Sequence, residues 1–141
     1  MFDPNNVPPV DDDEPLARFI LNSNEKRENG TVKPLLFVPY SLVALSVNRH
    51  RESSIDEIWA VGRSVAATRK KSLYGWADIL TSSCRHELLD VIAKPQLPDN
   101  PNHADITGYP PEKDAQLLLG LSLAAAIIAK WEKPPVEIED N

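Results

Sequence analysis

The sequence predicts a single α+β domain, in which an antiparallel-rich sheet of three to four strands is covered on one face by two helices. Segments rich in β-favouring apolar residues recur along the chain. Two helical patterns lie among them, and the second and third predicted strands are joined by too few residues for a parallel crossover. The predicted order is strand, helix, strand, strand, long loop, helix. A length of 141 residues fits one domain.

The predicted globular domain spans residues 16–133, between a flexible acidic arm at 1–15 and an acidic tail at 134–141. The arm has four prolines and a run of four acids at 11–14, whose like charges repel one another. The tail begins with a proline pair and carries three acids. Neither segment has enough apolar surface to be buried on its own.

The first half of the domain contains one predicted strand and one predicted helix. Residues 16–21 form an apolar run with Arg18 inside it, which we expect to be ordered but of uncertain type. Extended segments follow at 35–38 and 41–47, separated by Pro39, and the second is the first strand. Ser54 and Glu57 form a capping box, so a helix begins there and ends near the basic residues 69–71.

The second half contains two predicted strands, a long loop and a helix. The strands are expected at 73–81 and 86–93, with a connection at 82–85 that is short enough for a hairpin. Five prolines between residues 94 and 111 exclude regular structure over most of that segment, which we expect to be one long loop. Ala and Leu dominate 112–131, which predicts a helix stopped by the proline pair at 134–135.

The charge and the glycine pattern of the chain argue against two classes of function, nucleic-acid coating and nucleotide-cofactor binding. The net charge of −6 argues against a protein that coats nucleic acid, since such domains are usually basic. Residues 32–94 carry nine bases against six acids, which is compatible with a local anion-binding face and equally with an ordinary solvated surface. The scattered glycines form no phosphate-loop or dinucleotide fingerprint, so no cofactor is predicted.

The same composition predicts a cytoplasmic protein. The single cysteine, Cys84, excludes an internal disulfide, and the first residues lack the basic and apolar regions of a signal peptide. The longest apolar stretch, 117–129, is shorter than the roughly 20 residues that cross a bilayer. No membrane association is therefore expected.

The loop at 99–110 is the best candidate site in the sequence. Loops of this length in a compact domain tend to be functional or disordered. His103 and Asp105 would point to the same side of an extended segment, where the carboxylate could orient the imidazole for general acid or base catalysis. The alternative is that Asp105 and the neighbouring asparagines bond turn backbones and that His103 is a structural donor.

Arg49 is the second candidate, because it lies where the first strand ends. A guanidinium there could bind an anion or steady negative charge on a phosphate. The alternative is that Arg49 and its basic neighbours solvate the turn before the helix.

A metal site is not predicted. Cys84, His86, His50 and His103 would supply zinc ligands only if the fold brought them together, and the chain has neither paired CxxC nor HExxH spacing. Cys84 as a nucleophile with a distant histidine cannot be judged from spacing either.

Several short strings together resemble a group of small bacterial proteins without an assigned function. These strings are Leu16 to Phe19, Val32 to Pro34, Leu45 to Val47 with Arg49, Ile58-Trp59 with Gly62, Ala77 to Ile79, and His103 to Ile106 with Gly108 and Pro110. The resemblance covers most of residues 16–129. It implies a bacterial origin and carries over no activity, cofactor or catalytic residue.

Two functions follow as hypotheses. The first is a small binding or accessory protein that acts with another protein, in a multi-gene system of the defence or toxin-antitoxin type; small size, acidic arms and the lack of a catalytic motif favour it. The second is a small hydrolase or nuclease that uses His103, with Asp105 or Arg49 in support.

Overall fold

The computed structural model describes residues 7–25, 27, 29–40, 42–96 and 100–132. Its strands are β1 Pro15–Ile20, β2 Ala44–Arg49, β3 Gly75–Leu80, β4 Asp90–Ala93, β5 His103–Thr107 and β6 Ala129–Glu132. Its helices are α1 Ile55–Thr68, α2 Thr81–His86 and α3 Lys113–Ala125, with 3₁₀ turns at Ser23–Glu25 and Pro34–Phe37.

The strands form one antiparallel sheet in the order β4-β5-β2-β1-β3-β6. The predicted α+β class with an antiparallel sheet is confirmed. The predicted number of three to four strands is wrong, because the described residues form six. The predicted element order is not that of the structure, since β1, β5 and β6 lie where no strand was placed.

The sheet has an apolar core on each face, which corrects the prediction that both helices cover the same face. Alternate residues of β1 show the division: Leu16 and Ile20 join one core, and Ala17 and Phe19 join the other. On the first face α3 packs with the 3₁₀ turn Pro34–Phe37. On the second face α1 contributes apolar residues that include Ile58 and Trp59.

The start of α1 follows its predicted capping box. The Glu57 amide donates to Ser54 Oγ over 3.1 Å, and the Ser54 amide donates to Glu57 Oε1 over 2.7 Å. These bonds satisfy two backbone donors that would otherwise lack partners at the helix start. The helix ends at Thr68, close to the predicted end near residues 69–71.

The predicted long loop at 94–111 contains β5, so that prediction is wrong for residues 103–107. Ala104 and Ile106 are buried in the first core, while His103 and Asp105 point to the opposite face. This two-residue alternation is a strand pattern. The surrounding prolines led to the loop prediction, although they all lie outside the strand itself.

The predicted hairpin at 73–93 is also wrong, because β3 and β4 are not neighbours. Residues 81–86 form α2, which leads the chain from β3 to the far edge of the sheet, where β4 pairs with β5. The predicted helix at 112–131 ends at Ala125, and Ala129–Glu132 pairs with β3 as β6. Cross-strand pairing outweighs helix propensity in this last segment.

Part of the predicted flexible arm contacts the sheet. Val10 is buried in the first core, and Arg49 binds residues 8–14 with its whole guanidinium group. It donates to both carboxylate oxygens of Glu14, each over 2.8 Å, and to the carbonyls of Pro8 and Pro9. Residues 1–6 of the arm and the predicted tail at 134–141 lie outside the described residues. No helix in the described part of the chain has the length and apolar character needed to cross a membrane.

The Glu14 carboxylate should stabilise the fold in a pH-dependent way. Burial alone would raise the pKa of Glu14, but hydrogen bonds from Arg49 and from the Asp11 backbone outweigh it and lower the pKa below 4.5. The stabilisation is therefore present above pH 4.5 and is lost as the pH falls through the lowered pKa. We expect Glu14→Gln to reduce the free energy of unfolding by about 1–3 kcal/mol at pH 7.

Urea unfolding at a series of pH values tests this prediction. The difference between wild type and Glu14→Gln should narrow below pH 4.5. Asp13→Asn is the matched control, because Asp13 is an exposed acid in the same segment and its loss should change little. Equal stability of wild type and Glu14→Gln at pH 7 would contradict the prediction.

Candidate functional site

A cleft of about 350 Å³ lies between α1 and the middle of the sheet and is here called the α1 cleft. Its apolar walls are formed by Phe19, Leu21, Val61 and Val65. Its polar side chains are those of Arg18, Ser46, Asn48, Ser64, Thr68, Arg69, Gln96, Asn100 and His103. Apolar walls with a few converging polar groups are typical of small-molecule sites.

The α1 cleft lies where β1 separates from β2. The two strands pair at only two positions, Leu16 with Arg49 and Ala17 with Asn48. Beyond them the Arg18 side chain lies between the strands: its Nε donates to the Leu36 carbonyl of the 3₁₀ turn over 2.8 Å, and its Nη1 donates to the Ser46 carbonyl of β2 over 3.0 Å. The guanidinium group is therefore held firmly in the opening between the strands.

Arg18 has no carboxylate bonded to it within the described residues. Burial lowers the pKa of its guanidinium group, attraction to Glu25 offsets part of that effect, and repulsion by Arg69 adds to it. Nη2 makes no hydrogen bond to a described residue, and the atom is not completely buried. Arg18 is among the side chains that line the cleft.

Two asparagines form a closed pair in the α1 cleft. Asn48 Nδ2 donates to Asn100 Oδ1 over 2.7 Å, and Asn100 Nδ2 donates to Asn48 Oδ1 over 3.1 Å. Both residues are buried, and the backbone of Asn100 also bonds that of Gln96 in both directions. The pair therefore ties the segment before β5 to β2 and fixes one end of the cleft.

His103 lies in the α1 cleft, and its imidazole is oriented by a backbone group. Its Nδ1 is 3.0 Å from the Lys94 carbonyl, which can only accept, so the neutral ring carries its proton on Nδ1. Nε2 is 3.9 Å from Asp105 Oδ1. The predicted His103–Asp105 pair is thus on one face of β5, but that distance is too long for a hydrogen bond.

Arg49 is not part of the α1 cleft. It is 1% exposed, projects on the other face of the sheet and is bonded to Glu14. The structure therefore brings His103 and Asp105 together and separates Arg49 from them. Sequence reasoning missed Arg18 and Arg69 as site residues, although one signal was present: Arg18 is a charged residue within an apolar run.

A second polar cluster surrounds Asp78, on the same face of the sheet as α1. Its Oδ1 is 2.6 Å from His50 Nε2 and accepts from Trp76 Nε1 over 3.0 Å, while its Oδ2 accepts from Trp131 Nε1 over 2.8 Å. Trp76 stacks on Trp131 and meets Trp59 edge-on. The carboxylate is satisfied by these donors and connects β3, β6 and the turn after β2. The sequence offered no pattern that predicts this cluster.

The described residues hold no group of three His, Cys, Asp or Glu side chains that could bind a metal ion. His86 is exposed at the end of α2, and Cys84 is buried in the first core. His50 is bonded to Asp78 and His103 to Lys94, so these side chains do not converge.

No family model, curated protein or solved structure matches this chain.

Cys84 should be chemically inert in the folded protein. Burial raises the pKa of its thiol to about 12, so the reactive thiolate is scarce at pH 8. We expect iodoacetamide to leave Cys84 unmodified in the native protein for hours and to modify it fully in guanidinium chloride, as measured by intact-protein mass spectrometry. Rapid modification of the native protein would contradict this prediction and would restore Cys84 as a candidate nucleophile.

Proposed function

We propose that this chain is a non-catalytic binding protein that takes up a small molecule in the α1 cleft. The observation that carries the proposal is the cleft itself, in which apolar walls from β1 and α1 face polar groups held in fixed positions. Asn48 and Asn100 hold each other, and Arg18 is held by two carbonyls. Preorganised polar groups limit the entropy lost when a ligand binds.

Binding is better supported than hydrolysis by the arrangement around His103. A nucleophile–base pair needs contact at hydrogen-bond distance and a group that orients the base. The His103 imidazole has its orienting group in the Lys94 carbonyl, but no hydrogen bond joins its Nε2 to a described hydroxyl or thiol. The hydrolase or nuclease hypothesis with His103 and Asp105 stays a prediction, without the support from Arg49 that it expected.

A fragment screen followed by amide chemical shifts tests the binding proposal. Ligands should shift the amide signals of Phe19, Val65 and His103, which line the α1 cleft. Ser64→Trp should abolish these shifts by filling the cleft from α1, because Ser64 is an exposed lining residue and its replacement leaves the core unchanged. We expect at least a tenfold loss of affinity, which is about 1.4 kcal/mol.

Ala67→Trp is the matched control, because Ala67 is exposed on α1 but does not line the α1 cleft. It should leave affinity unchanged. Shifts that map to another surface, or that survive in Ser64→Trp, would overturn the proposal.

The accessory-subunit hypothesis is the second candidate, and the outer face of α3 favours it. This face, formed by Leu117, Leu118, Leu121, Ser122 and Ala125, is exposed and uncharged, and Leu118 is 68% exposed. Contiguous apolar surface of this kind is typical of protein contacts. We propose an amphipathic helix of another protein as its partner, since Ser122 and Ala125 are small enough to let a helix approach closely.

Native mass spectrometry of the chain co-expressed with its neighbouring genes tests the accessory hypothesis. A defined heteromeric complex should form and should be lost in Leu118→Lys. Leu88→Lys is the control, because Leu88 is 91% exposed and lies outside α3. A complex that persists in Leu118→Lys, or a chain that remains alone, would contradict the hypothesis.

A further inference from the structure

The charges that line the α1 cleft are all positive. Arg18 and Arg69 are the two Arg or Lys side chains among the lining residues, and no Asp or Glu of the described chain lines it. Asp105 projects on the same face of the sheet but is not part of the lining. Two guanidinium groups and no carboxylate in the lining favour an anionic ligand, since apolar walls strengthen electrostatic attraction.

Arg69 repels the Arg18 guanidinium group, an effect that comes after the attraction of Arg18 to Glu25. Arg49 is another buried arginine of this protein, and its guanidinium group is paired with both carboxylate oxygens of Glu14. Arg18, by contrast, has hydrogen bonds only to two neutral carbonyls, and Glu25 attracts it without a hydrogen bond. The Nη2 of Arg18 makes no hydrogen bond to a described residue and Arg69 is exposed, so both side chains keep donors for an anion.

We infer that the ligand of the α1 cleft is an organic anion with an apolar body, whose oxyanion binds between Arg18 and Arg69. This inference rests on the proposed function and names its ligand class. The body of the ligand lies along Phe19, Leu21, Val61 and Val65. A carboxylate and a phosphate monoester share the required chemistry, since both present paired oxygens to a guanidinium group.

Calorimetric titration with matched ligand pairs tests the inference. Each pair consists of an organic acid and its neutral amide: benzoate and benzamide, 4-phenylbutanoate and 4-phenylbutanamide, octanoate and octanamide. We expect the best acid to bind about tenfold or more tightly than its amide, and the difference to shrink as salt is added. Phenyl phosphate joins the series, and whether it or the best carboxylate binds more tightly identifies the preferred oxyanion.

Arg69→Gln is the decisive variant, because Arg69 is exposed at the end of α1 and its loss leaves the bonds of Arg18 intact. It should weaken the acid about three- to tenfold and leave the amide unchanged. Arg63→Gln removes the same charge from an exposed position on the same helix outside the α1 cleft and should change neither.

The outcomes separate this inference from the proposed function. Acid and amide of equal affinity, both lost in Ser64→Trp, would overturn the anion and keep the binding function. An acid whose affinity is the same in Arg69→Gln as in wild type would overturn the assignment of the arginines. If no compound of the series binds and the fragment screen also finds no ligand at the cleft, both proposals fail.

Discussion

The Arg18 side chain occupies the gap between the two central strands, and the architecture of the α1 cleft depends on it. A strand that diverges from its neighbour leaves backbone groups without partners, and buried groups of this kind are costly. Arg18 meets that need for the Leu36 and Ser46 carbonyls, one on a 3₁₀ turn and one on β2. The Ser46 carbonyl of β2 therefore keeps a partner where the two strands separate under α1, and the space between them is part of the cleft.

The two faces of the sheet differ in how many polar side chains they carry. The register places Asp78, Ala17, Asn48 and His103 side by side across four strands on the face of α1. Each polar member has a specific partner: indole groups and His50 for Asp78, Asn100 for Asn48, and the Lys94 carbonyl for His103. The opposite face is mainly apolar, with Tyr109 bonded to the Phe37 carbonyl. This polar row is the reason why we propose the α1 face as the site of ligand binding.

Local signals in the sequence predicted local structure well and predicted the arrangement of elements poorly. The capping box of Ser54 and Glu57 depends on residues three apart, and it located the start of α1. The position of β4 beside β5 and of β6 beside β3 depends on contacts between distant segments, which single-sequence patterns do not contain. For the site, His103 was predicted because it lies two residues from Asp105 in a segment that the sequence indicates as a long loop. Arg18 was missed because its role follows from the gap between β1 and β2, which no local pattern encodes.

The comparison of Arg18 with Arg49 shows why residue type alone does not identify a functional arginine. Both side chains are held by hydrogen bonds: Arg18 by two carbonyls, and Arg49 by Glu14 and the carbonyls of Pro8 and Pro9. The charge of Arg49 is neutralised by Glu14, and the hydrogen bonds of Arg49 hold residues 8–14 in place. Arg18 has bonds that fix its position but none that cancels its charge. A buried charged group without a hydrogen-bonded counter-ion is costly to the free protein, and this cost is the physical basis for proposing an anionic ligand.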